Sequence, residues 1–137
     1  MKPKLSVIAL HDDGQARETA IVFCDQLVHR FWADCDIEVR WLPFALLLDE
    51  IMAAEAVAKA AEAQLILFAT RDRIPNHVER WIQQWLLIRN DREGILVGLL
   101  ASQSNSPSPD TDTHSYLREI AHRAGMDYLT GVPQTIR

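Results

Sequence analysis

What most limits the folds open to this chain is that its apolar residues change period again and again, between short unbroken runs and three- and four-residue steps. Leu5, Val7, Ile8, Ala9 and Leu10 form a near-continuous apolar stretch, the pattern of a strand covered on both faces. From about Gln15 to Asp34 the spacing becomes helical, with Ala20, Cys24, Leu27, Val28 and Phe31 on one stripe. Asp36 to Leu42 then alternates Ile37, Val39 and Trp41 with Glu38 and Arg40, which predicts an edge strand stopped by Pro43.

The alternation continues to the end. Asp49 to Ala63 is alanine-rich and helix-forming. Ala63 to Ala69 supplies Leu65, Ile66, Leu67 and Phe68 in an unbroken run and predicts the central buried strand. Val78, Trp81, Ile82, Trp85 and Leu86 fall on one face of a helix from about Asn76 to Asn90, and Gly94 to Ala101 supplies a fourth strand. Ser102 to Thr113 has no apolar residue and predicts a solvated loop, a candidate lid if a site lies beside it. A last helix from about Asp112 or Thr113 to Ala124 ends at Gly125, and Asp127 to Val132 forms a fifth strand. Five strands alternating with four helices imply right-handed crossovers and a parallel sheet. We therefore expect a single α/β domain over residues 1–137, a three-layer α/β/α sandwich with the flavodoxin-like strand order 2-1-3-4-5.

Charge and composition narrow the functions. Nineteen acids against 14 bases give a net charge of -5, which repels a phosphate backbone, so nucleic acid is not an expected partner. The 48% hydrophobic content suits an ordinary folded core, and no apolar run approaches the roughly 20 residues of a membrane span. Lys2 and Lys4 precede only a short apolar stretch ending in His11, Asp12 and Asp13, so no signal peptide is expected. Cys24 and Cys35 form neither a Cys-x-x-Cys pair nor a zinc spacing, and the expected location is the reducing cytoplasm.

In a sheet of this order a ligand site lies beyond the strand carboxyl ends, at the switch point between the first and third strands. The candidates there are His11, Asp12, Asp13, Thr70, Arg71 and Ser102. Asp12 and Asp13 could hold magnesium through carboxylate oxygens, although short acidic residues before a helix more commonly cap it. Arg71 and Arg73 could clamp an anion, or form exposed ion pairs with Asp72, Glu79 or the first-loop acids. Gly14 is the one glycine of the first loop, and no Gly-rich phosphate loop occurs in the chain.

Trp81 and Trp85, one helical turn apart, suit a helix packed on the sheet; Ile82, Leu86 and Ile88 widen the apolar surface enough to suggest a dimer contact as well. His114 and His122 lie two turns apart, which suits a solvated face better than a metal site. Cys24 reads as inert core, and Cys35 has no strong cationic activator.

The stretch Leu5 to Arg17, an acidic pair after an apolar strand, resembles the start of a response-regulator receiver domain. Leu65 to Pro75 is similar to the receiver's central strand and following proline, and Ala124 to Thr130 to its last helix-to-strand passage. The resemblance spans the chain in order, in short pieces. It implies a flavodoxin-like fold, but the phosphoacceptor position falls on Ala69 or Thr70 and the lysine position on Gly131, so phosphotransfer is not expected; Ser102 matches the switch hydroxyl. The chain is also similar in fold pattern to flavodoxins, yet the acids of His11 to Gly14 would repel a flavin phosphate, and FMN is not expected. The resulting expectation is a non-catalytic, receiver-like interaction or signalling module, homodimeric or bound to a protein partner. The alternative is an enzyme binding a small molecule or phosphate at the ends of the first and third strands.

Overall fold

The computed structural model describes residues 3–12, 14–71, 73–89, 93–100 and 108–133. Five parallel strands, β1 (Lys4–His11), β2 (Asp36–Pro43), β3 (Leu65–Thr70), β4 (Ile95–Leu100) and β5 (Asp127–Leu129), form one sheet in the order β2-β1-β3-β4-β5, as the alternating periods predict. Between them run α1 (Gln15–Phe31), α2 (Glu50–Glu62), α3 (Asn76–Arg89) and α4 (Ser108–Ala124). The strand β3 is buried at all of its positions because β1 and β4 flank it and helices cover both its faces. In contrast β2, among the described residues, pairs only with β1, over its whole length from Lys4–Asp36 to His11–Pro43, and alternates exposed and half-buried residues from Asp36 to Arg40 before exposed Trp41 and buried Leu42.

Local chemistry sets the helix ends. The Asp49 carboxylate accepts hydrogen bonds from the amides of Ile51 and Met52 at 2.9 and 3.1 Å, capping α2. Gly14 precedes α1 at φ 71°, a conformation that disfavours any β-carbon even though space is open there. The expected aspartate cap on α1 is therefore corrected, since its N-cap residue is Gly14 and has no side chain to offer.

Three boundaries differ from the sequence reading. A 3-10 turn, Phe44–Leu48, follows Pro43 and buries Phe44 and Leu47. The strand β5 stops at Leu129 rather than Val132. Helix α4 begins at Ser108, so residues 108–113 are helical where a loop was expected. Pro109 does not prevent this, because a first-turn residue needs no intrahelical N–H bond.

The helices are divided unequally. On one face α2, α3 and α4 pack over Ile8, Leu10, Ile66, Phe68 and Leu96, with Trp81, Ile82, Trp85, Leu117 and Ile120 facing the sheet. On the other face, among the described residues, α1 alone covers Leu5, Val7, Ala9, Leu65, Leu67 and Val97, using Ala16, Ala20, Phe23, Leu27 and Phe31. One helix is narrower than five strands, and Ile37, Val39, Ile95, Leu99 and Leu129 at the two margins stay half-buried.

A buried cation ties the three-helix layer together. Arg89, at the end of α3, donates to the carbonyl oxygens of Ala60 at 2.9 Å and Ala61 at 3.5 Å in the last turn of α2, and to Glu93 at 3.1 Å before β4. A cation at a helix C-terminus satisfies orphan carbonyls and suits the helix dipole. Gly94 leaves the room, because a β-carbon there would press on the guanidinium and lie 2.9 Å from the Gln64 carbonyl oxygen.

Candidate functional site

The register pairs His11 with Ala69, so the carboxyl ends of β1 and β3 lie side by side and bring His11, Asp12, Thr70 and Arg71 into one neighbourhood. The Asp12 amide extends the ladder by donating to the Ala69 carbonyl at 3.0 Å. His11 is buried, at 4% exposure, and its Nδ1–H donates to the Asp12 carbonyl at 2.9 Å. Its ring meets Trp41 of β2 edge to face, with centroids 6.2 Å apart. Thr70 is fully buried, Asp12 is half-buried, and Arg71 and Arg73 are exposed. Asp13, Asp72 and Ser102 lie outside the described residues. Among those that are described, no three His, Cys, Asp or Glu side chains come together as a metal site.

Trp81 and Trp85 are placed differently from the interface expectation. They are 2% and 0% exposed and pack edge to face at 6.3 Å inside the three-helix layer. A side chain already buried in its own fold has no surface left for a partner, so they are core residues rather than interface residues. The indole N–H of Trp81 donates to the Ala53 carbonyl at 3.2 Å, while that of Trp85 is buried without a hydrogen-bond partner. The exposed apolar residues of α3 are Leu87 and Ile88 instead.

The sequence reading missed a polar cluster at β5. His114 of α4, which it assigned to a solvated face, is half-buried and hydrogen-bonded through Nδ1 to the Tyr128 hydroxyl. The Arg118 guanidinium lies 5.6 Å from the Tyr128 ring centroid. Burial pushes the Tyr128 phenol up to about 12, against the opposing pull of Arg118. Gly98 makes the space, since a β-carbon there would collide with the Tyr128 hydroxyl and come within 2.9 Å of Leu117. A glycine inside the apolar run Ile95 to Leu100 was the available signal, because such a glycine marks a close approach.

A cleft of about 400 Å³ opens at the opposite end of the sheet, lined by Lys4, Ser6, Glu38, Arg40, Lys59 and Glu62 among others. The Lys4 ammonium meets the Glu38 carboxylate at 2.6 Å. That bond and its charge hold the Glu38 carboxyl below its ordinary range, and Arg40 and Lys59 add to the effect.

A further apolar area lies on the α1 face. Ile21, Val28 and Trp32 are exposed at helical spacings of seven and four. On the edge strand, Ile37, Val39 and Trp41 share the α1 face of the sheet. Trp32 is 62% exposed and Trp41 40%.

No family model matches this sequence, and no curated protein does. Among solved structures the chain is similar to the Trp repressor binding protein from Bacillus subtilis, with a TM-score of 0.53 and 13% identity over 93% of this chain and 85% of that one. At that identity the likeness shows the fold, which is flavodoxin-like.

Proposed function

We propose that this chain is a non-catalytic, receiver-like interaction module of flavodoxin-like fold, and that it works by associating with a second copy of itself through the α1 side of its β2 edge. The observation that carries this reading is the set of large apolar side chains left exposed or half-buried on this side of the molecule: Ile21 and Val28 of α1, Trp32 at its C-cap, and Ile37, Val39 and Trp41 of β2. Large apolar side chains gathered in one area mark interaction surfaces, and tryptophan is enriched in them. Glu38 and Arg40 flank Val39 on β2, opposite charges that a second, antiparallel copy of the strand can pair. The strand carboxyl ends support a non-catalytic role, since His11 is engaged with backbone and Trp41 and Thr70 is buried.

Light scattering on the purified chain tests the reading. A mass of twice 15.6 kDa is expected. Trp41→Glu should return the mass to that of one chain while circular dichroism stays that of the parent. A parent chain that is monomeric at its highest soluble concentration would overturn the proposal.

A further inference from the structure

Resting on the self-association reading, we infer that β2 pairs antiparallel with β2 of a second copy, about a two-fold axis at Val39, to make one continuous ten-stranded sheet. The outer edge of β2 is eight residues long and regular through its whole pairing with β1. Its outward N–H and C=O groups form a template for another strand. Natural edges are commonly shielded by short length, a bulge, a covering element, proline or charge; β2 is long and regular, among the described residues no strand pairs with this side of it, and its charges Glu38 and Arg40 are of opposite sign, so in the right register they attract a second copy.

The sequence of the strand selects both the partner and the register. In an antiparallel pair, opposed residues share a face, so a two-fold axis perpendicular to the sheet must pass through a residue position. Centring on Glu38 would oppose two Glu38 carboxylates, and centring on Arg40 would oppose two guanidinium groups. Centring on Val39 opposes Glu38 to the partner's Arg40, and Arg40 to the partner's Glu38. On the α1 face the same register sets Ile37 against the partner's Trp41, Val39 against the partner's Val39, and Trp41 against the partner's Ile37. These are the half-buried and exposed apolar side chains that α1 leaves uncovered. Aromatic with β-branched, and opposite charge with opposite charge, are the favourable cross-strand combinations. Pro43 has no N–H to donate and closes the ladder at its end. Glu38, already against Lys4 at 2.6 Å, would lie between that ammonium and the partner's Arg40.

Sedimentation and crosslinking on the full chain decide the matter. Arg40→Glu places like charges at both ends of the register and should weaken association at least about tenfold. The double change Glu38→Arg with Arg40→Glu restores the opposed pairs and should associate more tightly than Arg40→Glu alone. Val39→Cys should give a reductant-sensitive dimer, because opposed residues lie about 4.5–5.5 Å apart at Cα, within disulfide range. Cys24 and Cys35 are buried, which leaves the new thiol as the accessible one. A parent chain that stays monomeric overturns both this pairing and the self-association reading. A dimeric parent whose Arg40→Glu variant stays dimeric, whose double variant gains nothing over it, or whose Val39→Cys variant does not crosslink, overturns the strand pairing and leaves self-association standing.

Discussion

The two faces of the sheet solve the same packing problem with unequal means. Three helices cover one face, whose buried cluster holds two tryptophans, two phenylalanines and several branched side chains. Among the described residues a single helix covers the other, where the strands supply small residues such as Ala9 and Ala69 and the margins remain half-exposed. The difference separates stability from association: side chains that are fully buried hold the fold together, and those left over at the margin are available to another molecule.

The sharpest way to break that division is Trp85→Ala on the three-helix face. Removing a large, fully buried aromatic should cost about 3–5 kcal/mol in urea denaturation and leave any dimer of the surviving folded protein intact. Arg89→Met should cost about 2–3 kcal/mol by the same measurement, since carbonyls at the end of α2 lose a charged donor and remain buried. Trp32→Glu on the α1 face should change stability by no more than about 0.5 kcal/mol, while lowering the dimer fraction seen by light scattering. A Trp32→Glu protein as unstable as Trp85→Ala would show that the α1 face, too, is core.

A titration sharpens the comparison by its smallest effect, because each face holds an acid whose proton burial retains. On the α1 face, burial and the charge of Asp25 push the Cys24 thiol from 9.0 to about 11. On the other, burial pushes the Tyr128 phenol from 10.0 to about 12. In each case the unfolded chain loses its proton while the folded one still holds it, so stability is full below the unfolded value and falls as pH rises. Melting curves should decline from about pH 9 upward. Cys24→Ala should lessen the slope between pH 9 and 11, and Tyr128→Phe the slope between 10 and 12, where Tyr116, also pushed up by burial, keeps a share.

Local periodicity made most of this fold legible, because a buried strand and an amphipathic helix each advertise themselves within a few residues. Leu65 to Ala69 needed no partner in order to be read as central, and the alternation of Ile37, Val39 and Trp41 was enough to place β2 at an edge. What local pattern could not convey is which side of a helix meets its own sheet and which meets solvent. Trp81 and Trp85 have the same spacing in a core as in an interface, and only the assembled layer shows them buried. The exposed flank Ile21, Val28 and Trp32 is invisible for the complementary reason: it becomes a surface only once α1 is known to stand alone on its face. The His114–Tyr128 contact joins residues 14 positions apart through the gap left by Gly98, and no single segment encodes it. At the candidate strand-end site, the neighbours His11, Asp12, Thr70 and Arg71 followed from strand order, whereas the burial of His11 depends on its own main-chain contact and on Trp41.

The Arg89 clamp carries a consequence for how the molecule breathes. One guanidinium bonded to the last turn of α2 and to the residue leading into β4 makes those segments open as a cooperative unit, since releasing either strands the same buried charge. Amide hydrogens at the end of α2, the end of α3 and the start of β4 would then exchange with solvent at a common rate, set by the departure of one side chain.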